Sequence, residues 1–431
     1  MSDKVFEPVD VAIIGAGIVG CSAAWHLARS GLKVSVFERG TVASEQSSRA
    51  WGFIRQQGRH EAELPLAAEA NRLWVELTQR FGQEATQFTQ GGILVPAETE
   101  ADEERVISGH EIARKFNLGT TVLDKAGIQD LIPGLSGNWR SGLYTAGDAH
   151  GEPPTSTRTI AEAARAAGAR IHEHEPVIEI ETQAGQVSGI VTINGRCRAP
   201  VVVIAAGIGA PMLARKLGLN LPIQVITSSV GQTTAAEPFT RVALWGPTVA
   251  YRPRADGSYT LGNGYRGMGP DYEITPNSFR NLRYFLPAYR RNWRLLRLTV
   301  GGEFINHLRA SFGKEASARP LPEVKPNMRK VLRNLAQFRG LFPHLGNVGL
   351  DRVWAGRIDL TPDAIPIIDR PSPNLSLFVA AGFSGHGFAL GPSVGKQLAE
   401  WIAANRPSLD LKAFRLSRFA EGDVSRAKQA L

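Results

Sequence analysis

The sequence predicts an α/β (α+β) protein in which a Rossmann-like dinucleotide-binding domain is joined to a second domain with a large antiparallel sheet. Two stretches predict this architecture. Near the N-terminus, a strand, a glycine-rich turn, a helix and a second strand follow one another. Near the C-terminus, another glycine-rich loop lies between an apolar strand and a helix. A chain of 431 residues exceeds the usual size of one compact unit, so two domains are expected.

The N-terminal stretch has the pattern of a dinucleotide-binding βαβ unit. The apolar run 9–14 predicts a buried strand, and the turn 15–20 reads G-x-G-x-x-G, whose glycines let backbone N–H groups approach a pyrophosphate. A helix is expected up to Gly31, followed by a strand over 33–37 that ends on Glu38. An acidic side chain at this position accepts hydrogen bonds from ribose hydroxyls. The order of these elements predicts a bound dinucleotide.

The middle of the chain predicts strands of two kinds. A helix over 155–167 precedes three strands, at 177–181, 187–193 and 199–205, which we interpret as one β-meander because hairpin turns separate them. The small residues that end the third strand favour either close approach to a cofactor or tight packing of a helix on a strand. Residues 220–265 predict antiparallel strands of the second domain.

The positive charge is concentrated in one segment. The whole chain carries a net charge of +9, whereas fourteen Lys and Arg against three Glu lie between Phe279 and Gly340. Apolar residues recur there every three to four positions, which predicts short helices. We interpret 276–340 as a basic helical insertion that acts as a lid. Peripheral membrane contact through 276–312 is the second interpretation, and nucleic acid is not expected as a partner.

Composition indicates a soluble globular enzyme, with 43% hydrophobic and 21% charged residues. No apolar run approaches the ~20 residues that a spanning helix needs, and the first strand begins too early for a signal peptide. A cytoplasmic location is therefore expected, with membrane association as the alternative. We interpret Cys21 and Cys197 as buried apolar residues, and we expect no metal site, since His172 and His174 have no clustered partners.

Five motifs together resemble the D-amino-acid-oxidase (DAO) superfamily of FAD enzymes, which includes glycine oxidase and the sarcosine oxidases. They are the 15–20 turn with Glu38, Ser47-Ser48, Ala205-Ala206-Gly207, the T-P-D-x-x-P segment at 361–366, and the G-F-S-G-H-G-F loop at 382–388. The bacterial L-amino acid deaminases are the most similar branch. That similarity includes residues 40–49, the turn 89–91, Tyr251-Arg252, Ala255-Asp256-Gly257 and the basic insertion.

The resemblance implies a Rossmann-like FAD-binding domain of the glutathione-reductase type, discontinuous over 5–85, 146–212 and 350–431. The substrate domain would comprise 86–145 and 213–349. The cofactor-binding residues it implies are Gly15, Ala16, Gly17, Ile18, Val19, Gly20, Glu38, Arg39, Gln46, Ser47, Ser48, Gly52, Val177, Ala206, Gly207, Gly356, Asp363, Gly382, Ser384, Gly385, His386, Gly387 and Phe388. FAD should be non-covalent, because Gly356 stands near the position of the cysteine that tethers flavin in monomeric sarcosine oxidases.

The resemblance also implies a substrate site. The carboxylate-binding arginine of the deaminases falls on Arg252, for which a surface salt bridge is the structural alternative, and Arg55 and Arg357 are secondary candidates. His386 and Phe388 would line the pocket. A hydrolase is not expected, because G-x-S-x-G is absent from the sequence, and hydride transfer from a neutral amine needs no protein base.

The implied function is FAD-dependent oxidation of an amino acid C–N bond to an imine, which water hydrolyses to a 2-oxo acid and ammonia. Electrons would pass to O₂ or to a quinone or other electron-transfer acceptor. A secondary-amine enzyme of the sarcosine or glycine oxidase type is the alternative; the 382–388 loop favours it, whereas Ala389 replaces the lysine of the sarcosine oxidases. A flavoprotein subunit of an electron-transfer complex is an alternative from another class. The oligomeric state is left open.

Overall fold

The computed structural model describes residues 4–298, 304–305, 308 and 322–424. The strands in these residues are β1 (Lys4–Val5), β2 (Val11–Ile14), β3 (Val34–Phe37), β4 (Phe53–Ile54), β5 (Ile93–Ala97), β6 (Thr120–Leu123), β7 (Ser141–Thr145), β8 (Ala149–His150), β9 (Arg170–His172), β10 (Val177–Gln183), β11 (Gln186–Thr192), β12 (Gly195–Arg198), β13 (Val201–Ile204), β14 (Gln224–Thr233), β15 (Ala243–Trp245), β16 (Val249–Pro253), β17 (Tyr259–Asn263), β18 (Asp271–Ile274), β19 (Leu296–Leu298), β20 (Leu350–Leu360), β21 (Ile367–Asp369) and β22 (Leu377–Ala381). The α-helices are α1 (Ile18–Arg29), α2 (Gln46–Arg49), α3 (Leu64–Phe81), α4 (Gln83–Thr86), α5 (Glu100–Lys115), α6 (Lys125–Leu131), α7 (Pro153–Ala166), α8 (Ala210–Arg215), α9 (Pro276–Arg280), α10 (Leu282–Arg291), α11 (Met328–Leu341), α12 (Gly387–Ala404) and α13 (Arg418–Glu421).

One sheet of six strands forms the frame of the cofactor domain. Its order is β21-β22-β13-β2-β3-β9, and every pair except β21–β22 is parallel. Strands β2, β3 and β22 are wholly buried, and β13 is buried except at Val201, as expected when both faces of a parallel sheet are covered. The strands come from three distant parts of the chain. This is the discontinuity that the sequence predicts, although the domain boundaries themselves stay a prediction.

Helices α1 and α12 cross closely on one face of this sheet. Side chains at Gly391 and Gly395 of α12 would overlap Ile18 and the Ser22 backbone of α1. These glycines therefore let the helix from the far end of the chain lie directly on the helix that follows the glycine turn. The two glycine-rich loops are brought together at the amino ends of these helices.

The predicted meander differs from the observed strands. Strands β10, β11 and β12 form an antiparallel meander, to which β1 adds in parallel, but β13 belongs to the six-stranded sheet. The predicted strand 199–205 therefore corresponds to β13 and does not belong to the meander, whose third strand is β12, before Pro200. Proline lacks the N–H that a continuous ladder requires, so the chain leaves one sheet there and enters the other.

A ten-stranded sheet forms the second domain. Its main order is β19-β18-β14-β17-β16-β15-β5-β7-β6, and β20 pairs with β14 from Gln224↔Leu360 to Thr233↔Leu350. The antiparallel strands predicted over 220–265 are present as β14 to β17. The predicted boundary at residue 350 assigns β20 to the cofactor domain, whereas its pairing joins it to this large sheet. We therefore propose a boundary after β20.

The structure describes only part of the basic insertion 276–340. Helices α9 and α10 lie where short helices are predicted, and α10 buries Phe285 and Tyr289 while its arginines face outward. Residues 299–303, 306–307 and 309–321, on which the lid interpretation partly depends, lie outside the described residues. Within the described part of the chain, no helix is both long and apolar enough to cross a membrane.

Candidate active site

A cavity of about 300 Å³ lies between the two sheets. One end is formed by the glycine turn and the loop before β10, and the other by strands of the large sheet. Residues from both domains line it, among them Gly15, Glu38, Arg55, Val177, Trp245, Tyr265, Arg357 and His386. The cavity is therefore elongated across the domain junction, with a backbone-lined end and a side-chain-lined end.

The glycine turn brings backbone into close approach at the first end. Gly15 has φ of +107°, and a Cβ there would overlap the Ala205 carbonyl, while a Cβ on Gly20 would overlap the Gly15 carbonyl. The Ser47 hydroxyl accepts a hydrogen bond from Ile18 N at 2.9 Å and so completes the first turn of α1. The result is a helix amino end that faces the cavity, which suits an anionic group.

Glu38 fixes this turn and remains at the cavity wall. Its two carboxylate oxygens accept hydrogen bonds from Ala16 N at 2.9 Å and from Gly40 N at 2.8 Å. Each oxygen keeps a second lone pair, so the carboxylate can still accept a ribose hydroxyl. Val177 and Lys216 line the cavity on the same side.

Asp359 lines the cavity and links the segment around Gln46 to the glycine loop that begins at Gly382. Its carboxylate accepts hydrogen bonds from Gln46 Nε2 and from Gly382 N, each at 2.7 Å. Burial raises the pKa of Asp359, although these hydrogen bonds oppose the shift. The Gln46 side chain occupies the space that a Cβ on Gly207 would need, and Gly207 has φ of +50°. Asp359 was not a candidate at the sequence level, because nothing local marks a residue at the end of a strand as a link between loops.

A cluster of buried charges lies at the second end. The Arg55 guanidinium lies over the Trp245 ring at 4.1 Å from its centroid, and its Nη1 has no hydrogen-bond partner among the described residues. Arg59 Nε donates to the Arg55 carbonyl at 3.2 Å. Glu63 Oε1 lies 2.9 Å from His386 Nδ1, and Glu63 is only 1% exposed. Arg55, Arg59 and His386 line the cavity.

The pKa values of this cluster are shifted by burial and by one another. Burial, followed by repulsion from Arg59, lowers the pKa of Arg55 to about 9. Burial also lowers the pKa of His386, with repulsion from Arg59 and Arg55 added and attraction to Glu63 opposing. Burial alone would raise the pKa of Glu63, but attraction to His386 and the hydrogen bond between them outweigh it, so the net shift is downward. At neutral pH the cluster therefore contains an ionised Glu63 and a neutral His386.

Arg252 lies behind the cavity wall and does not line it. It is 3% exposed, its Nη2 is 2.7 Å from Glu152 Oε2, and its Nε donates to the Trp51 carbonyl. Arg254 Nη1 lies 3.0 Å from the same Glu152 oxygen. The guanidinium predicted to bind the substrate carboxylate is thus held in a buried ion pair in this structure, and its role in substrate binding stays a prediction. Its contacts support the Trp51-Gly52 backbone, which does line the cavity.

Most other predicted cofactor residues line the cavity, and five do not. Those that line it are Gly15, Ala16, Gly17, Ile18, Val19, Glu38, Arg39, Gln46, Ser47, Gly52, Val177, Ala206, Gly207, Gly356, Gly385, His386, Gly387 and Phe388. Those that the structure holds away from it are Gly20, Ser48, Asp363, Gly382 and Ser384.

These five residues have structural contacts instead. The Ser48 hydroxyl donates to the Glu45 carbonyl at 3.0 Å, and the Ser384 hydroxyl accepts from Thr361 N at 3.2 Å. Asp363 forms a buried ion pair with Arg418, with Oδ2 at 2.9 Å from Nε. Gly20 packs on the glycine turn, and Gly382 N is held by Asp359. They support the loops that line the cavity without facing it.

The residues present fit a flavin dinucleotide. A backbone-lined helix end suits the pyrophosphate, Glu38 suits a ribose, and both glycine loops open on one elongated cavity. The model for "FAD dependent oxidoreductase" (DAO) matches residues 10–401.

The chain belongs to this DAO family.

Similar proteins include amine and amino acid enzymes. Glycine oxidase from Bacillus licheniformis is 24% identical over 418 residues, covering 95% of this chain and 97% of that protein. Human mitochondrial sarcosine dehydrogenase is 24% identical over 422 residues, covering 95% of this chain and 41% of that protein. The structure of L-amino acid deaminase from Proteus myxofaciens in complex with anthranilate superposes with a TM-score of 0.86 at 24% identity, covering 96% of this chain and 94% of that one.

The DAO membership confirms several predictions. The protein is an FAD-dependent oxidoreductase that acts on amino acids or amines, and its fold is the predicted mixed α/β fold. Within the described residues, no group of three or more His, Cys, Asp or Glu is arranged to hold a metal ion. Both cysteines are buried, and neither lines the cavity.

Proposed function

We propose that this DAO protein oxidises the Cα–N bond of an amino acid to an imine, which water hydrolyses to a 2-oxo acid and ammonia. Arg55 carries the proposal. It lines the cavity, lies over Trp245 and keeps Nη1 free of partners among the described residues, as a carboxylate anchor requires. An amine without a carboxylate would leave Nη1 of Arg55 without a hydrogen-bond acceptor.

The residues of the chain have separable roles in this proposal. The turn 15–19 would hold the pyrophosphate of FAD and Glu38 a ribose, and FAD supplies the hydride acceptor when bound. Arg55 would hold the substrate carboxylate and thereby aim the α-hydrogen. The aromatic rings of Trp51, Trp245 and Tyr265 line the same end of the cavity and would exclude water from it.

The amino end of α12 adds a further contribution. Gly387 begins this helix and lines the cavity, so its unpaired N–H groups give positive potential there. Such a helix end stabilises a nearby negative charge by roughly 0.3–2 kcal/mol. We propose that this potential, together with His386 and Phe388, serves the reactive end of the cofactor.

A secondary-amine enzyme of the sarcosine or glycine oxidase type is the second candidate. The relatives named above and the 382–388 loop support it. Ala389 weighs against it, because this buried position holds alanine where the sarcosine oxidases have a lysine for the substrate carboxylate. Contact of the basic segment with an anionic membrane stays a prediction.

One experiment on the purified holoenzyme separates these candidates. The protein is mixed without oxygen with L-, D- and N-methyl amino acids, and loss of the flavin absorbance is followed. We expect reduction by primary amino acids, release of ammonia and formation of the 2-oxo acid. Reduction only by N-methyl amino acids would support the secondary-amine candidate, and no reduction by any amine would refute both.

Admitting air after reduction identifies the electron acceptor. Rapid reoxidation with formation of peroxide would define an oxidase. Slow reoxidation in air that a soluble quinone accelerates would define a dehydrogenase, and it would favour the electron-transfer class considered above.

A further inference from the structure

The paired Glu63 and His386 side chains suggest a proton-transfer device within this site. Glu63 lies just before α3, in the N-terminal part of the chain, and His386 lies just before α12, so the pair joins two elements 323 residues apart. The Glu63 carboxylate is 1% exposed and the His386 side chain 11%. The second Glu63 oxygen has no hydrogen-bond partner among the described residues. Burying a carboxylate costs desolvation free energy, and such buried pairs of titratable groups are concentrated at functional sites.

The pairing fixes the tautomer of His386. Glu63 is ionised, so it can only accept a hydrogen bond, and Nδ1 must carry the proton that is donated across the 2.9 Å contact. His386 is neutral, since its pKa is lowered by burial and by Arg59 and Arg55. Nε2 is therefore the unprotonated nitrogen, and it is the one left for the cavity that His386 lines.

We propose that Glu63 is a positioning residue that holds His386 with Nε2 as the proton acceptor for the α-ammonium group of the substrate. The inference rests on the proposed function and extends it. An ammonium nitrogen has no lone pair with which to form the C=N bond, so the substrate must lose one proton before its Cα–H bond can break. That proton passes from the substrate nitrogen to Nε2. The imidazolium so formed is paired with the Glu63 carboxylate.

The charges around His386 couple this step to substrate binding. The charged groups of the cluster are Glu63, Arg59, Arg55 and, beyond the two arginines, Asp148. A substrate carboxylate on Arg55 would neutralise one of the two cations that disfavour a protonated His386. Binding of the correct carboxylate would therefore make Nε2 a better acceptor when it is needed.

The first test replaces Glu63 by the isosteric Gln. We expect Glu63→Gln to slow flavin reduction by a primary amino acid at least 10-fold at pH 7, because unassisted deprotonation loses part of the 10²–10⁴-fold contribution of a positioned base. The rate should approach that of the wild-type enzyme at pH 10, where the free amine is abundant in solution. Stopped-flow absorbance under anaerobic conditions measures both rates.

Glu69→Gln is the matched control. Glu69 is also a buried carboxylate of the same region, but its partners are Ser393, Lys396 and Gln397, away from the cavity. We expect it to leave the pH profile of reduction unchanged. A rate loss in Glu63→Gln that is equal at all pH values, or no loss, would overturn the proposal.

A second measurement does not depend on turnover or on Glu63→Gln folding. Binding of a 2-oxo acid, which has the carboxylate but no amine, is followed by calorimetry in two buffers of different ionisation enthalpy. We expect proton uptake by the wild-type holoenzyme that disappears in His386→Gln. No uptake, or uptake that persists in His386→Gln, would contradict the coupling.

The outcomes separate this inference from the function on which it rests. If no amino acid reduces the wild-type flavin, the proposed function fails. If amino acids do reduce it and Glu63→Gln has the wild-type pH profile, the function stands and only the role of Glu63 fails.

Discussion

The proposed recognition of a substrate carboxylate rests on the guanidinium of Arg55. Arg55 is enclosed beside Arg59 and lies over Trp245, and its Nη1 has no partner among the described residues. Charge-assisted hydrogen bonds to such a group contribute about 1.5–3 kcal/mol. We therefore expect Arg55→Ala to lower kcat/KM for an amino acid roughly 10- to 100-fold, which steady-state kinetics on the holoenzyme would measure.

The matched control for Arg55 is a substrate in which the carboxylate is replaced by a carboxamide. Its kcat/KM should be low in the wild-type enzyme and should change little in Arg55→Ala, because the lost charge has no partner on that molecule. If Arg55→Ala lowers kcat/KM equally for both molecules, Arg55 acts on the structure of the site and does not bind the carboxylate.

The sequence predicts the backbone-lined end of the site better than its side-chain end. Glycines with positive φ and a serine after the second strand follow from local geometry, so Gly15 and Ser47 are found where they are expected. Arg252 is not, because its partner Glu152 lies 100 residues away in the chain and no local pattern indicates that ion pair. Glu63 is missed for the same reason, since His386, which it contacts, lies 323 residues away in the chain.

A buried histidine should make the protein sensitive to acid. Burial and repulsion from Arg252 lower the pKa of His150 to about 3, against about 6.5 in an unfolded chain. The folded state therefore binds fewer protons than the unfolded state between these values, and stability is lost as the pH falls from about 6.5 towards 3. At pH 4 this amounts to about 3 kcal/mol of unfolding free energy.

We expect His150→Gln to remove most of that loss. Denaturant unfolding of the holoprotein at pH 7 and pH 4 measures it, and the amide can replace the hydrogen bond from His150 Nε2 to the Arg241 carbonyl at 3.2 Å. His174→Gln, at an exposed position, serves as the control. An unchanged difference between the two pH values in His150→Gln would mean that this histidine is already protonated in the folded state at pH 4.

At the scale of elements, the glycine turn 15–20 packs so closely on itself that a side chain at Gly20 would not fit. A Cβ on Gly20 would overlap the Gly15 carbonyl, which must keep its position for the turn to face the cavity. Since this neighbour is backbone, we expect Gly20→Ala to displace the turn, to lower FAD content at least 10-fold and to destabilise the protein by about 1–3 kcal/mol. Flavin absorbance after gel filtration and denaturant unfolding measure the two effects.

Gly340→Ala is the control for a glycine replaced in a helix. Gly340 lies in α11, and a Cβ there has no neighbour within 4 Å. We expect it to keep its FAD and to gain about 0.5–1 kcal/mol of stability from helix propensity. If both variants retain FAD equally, the turn tolerates displacement and the packing interpretation is wrong.

Helices and strands that carry a local signal could be predicted from the sequence. The sheet to which a strand belongs could not always be predicted. Helix α5, for example, begins at a capping box of Thr99 and Asp102, which is a local signal in the sequence. By contrast, the strand predicted over 199–205 is assigned to the meander at the sequence level, whereas in the structure it is β13 of the six-stranded sheet. The pairing of β20 with β14 depends on residues 117–136 positions apart, beyond any local pattern.

At the scale of the whole molecule, the cofactor cavity is a joint product of distant segments. The first 60 residues, the loop at residue 207 and the last glycine loop all reach it. The sequence indicates a dinucleotide from the first segment and FAD from its combination with the last, and the DAO match confirms that conclusion. The substrate end could not be predicted in detail, because Trp245 lies on β15 and Tyr265 in the turn after β17, and local sequence does not indicate the strand pairing that places them.

Because the cavity is lined by both domains, FAD should hold them together and stabilise the fold as a whole. A ligand that binds only the folded state adds about 2.7 kcal/mol of unfolding free energy at 100 times its Kd and about 4.1 at 1,000 times. We expect the apoprotein to unfold at a lower temperature than the holoprotein and its Tm to rise with the logarithm of free FAD. Scanning calorimetry of the apoprotein across an FAD series measures this, with NAD as the control ligand. The Gly20→Ala variant should need a higher FAD concentration to reach the same Tm, because its defect lies in the turn that would hold the pyrophosphate. If NAD raises the Tm as much as FAD does, or if FAD leaves the Tm unchanged, the cavity does not select the flavin dinucleotide.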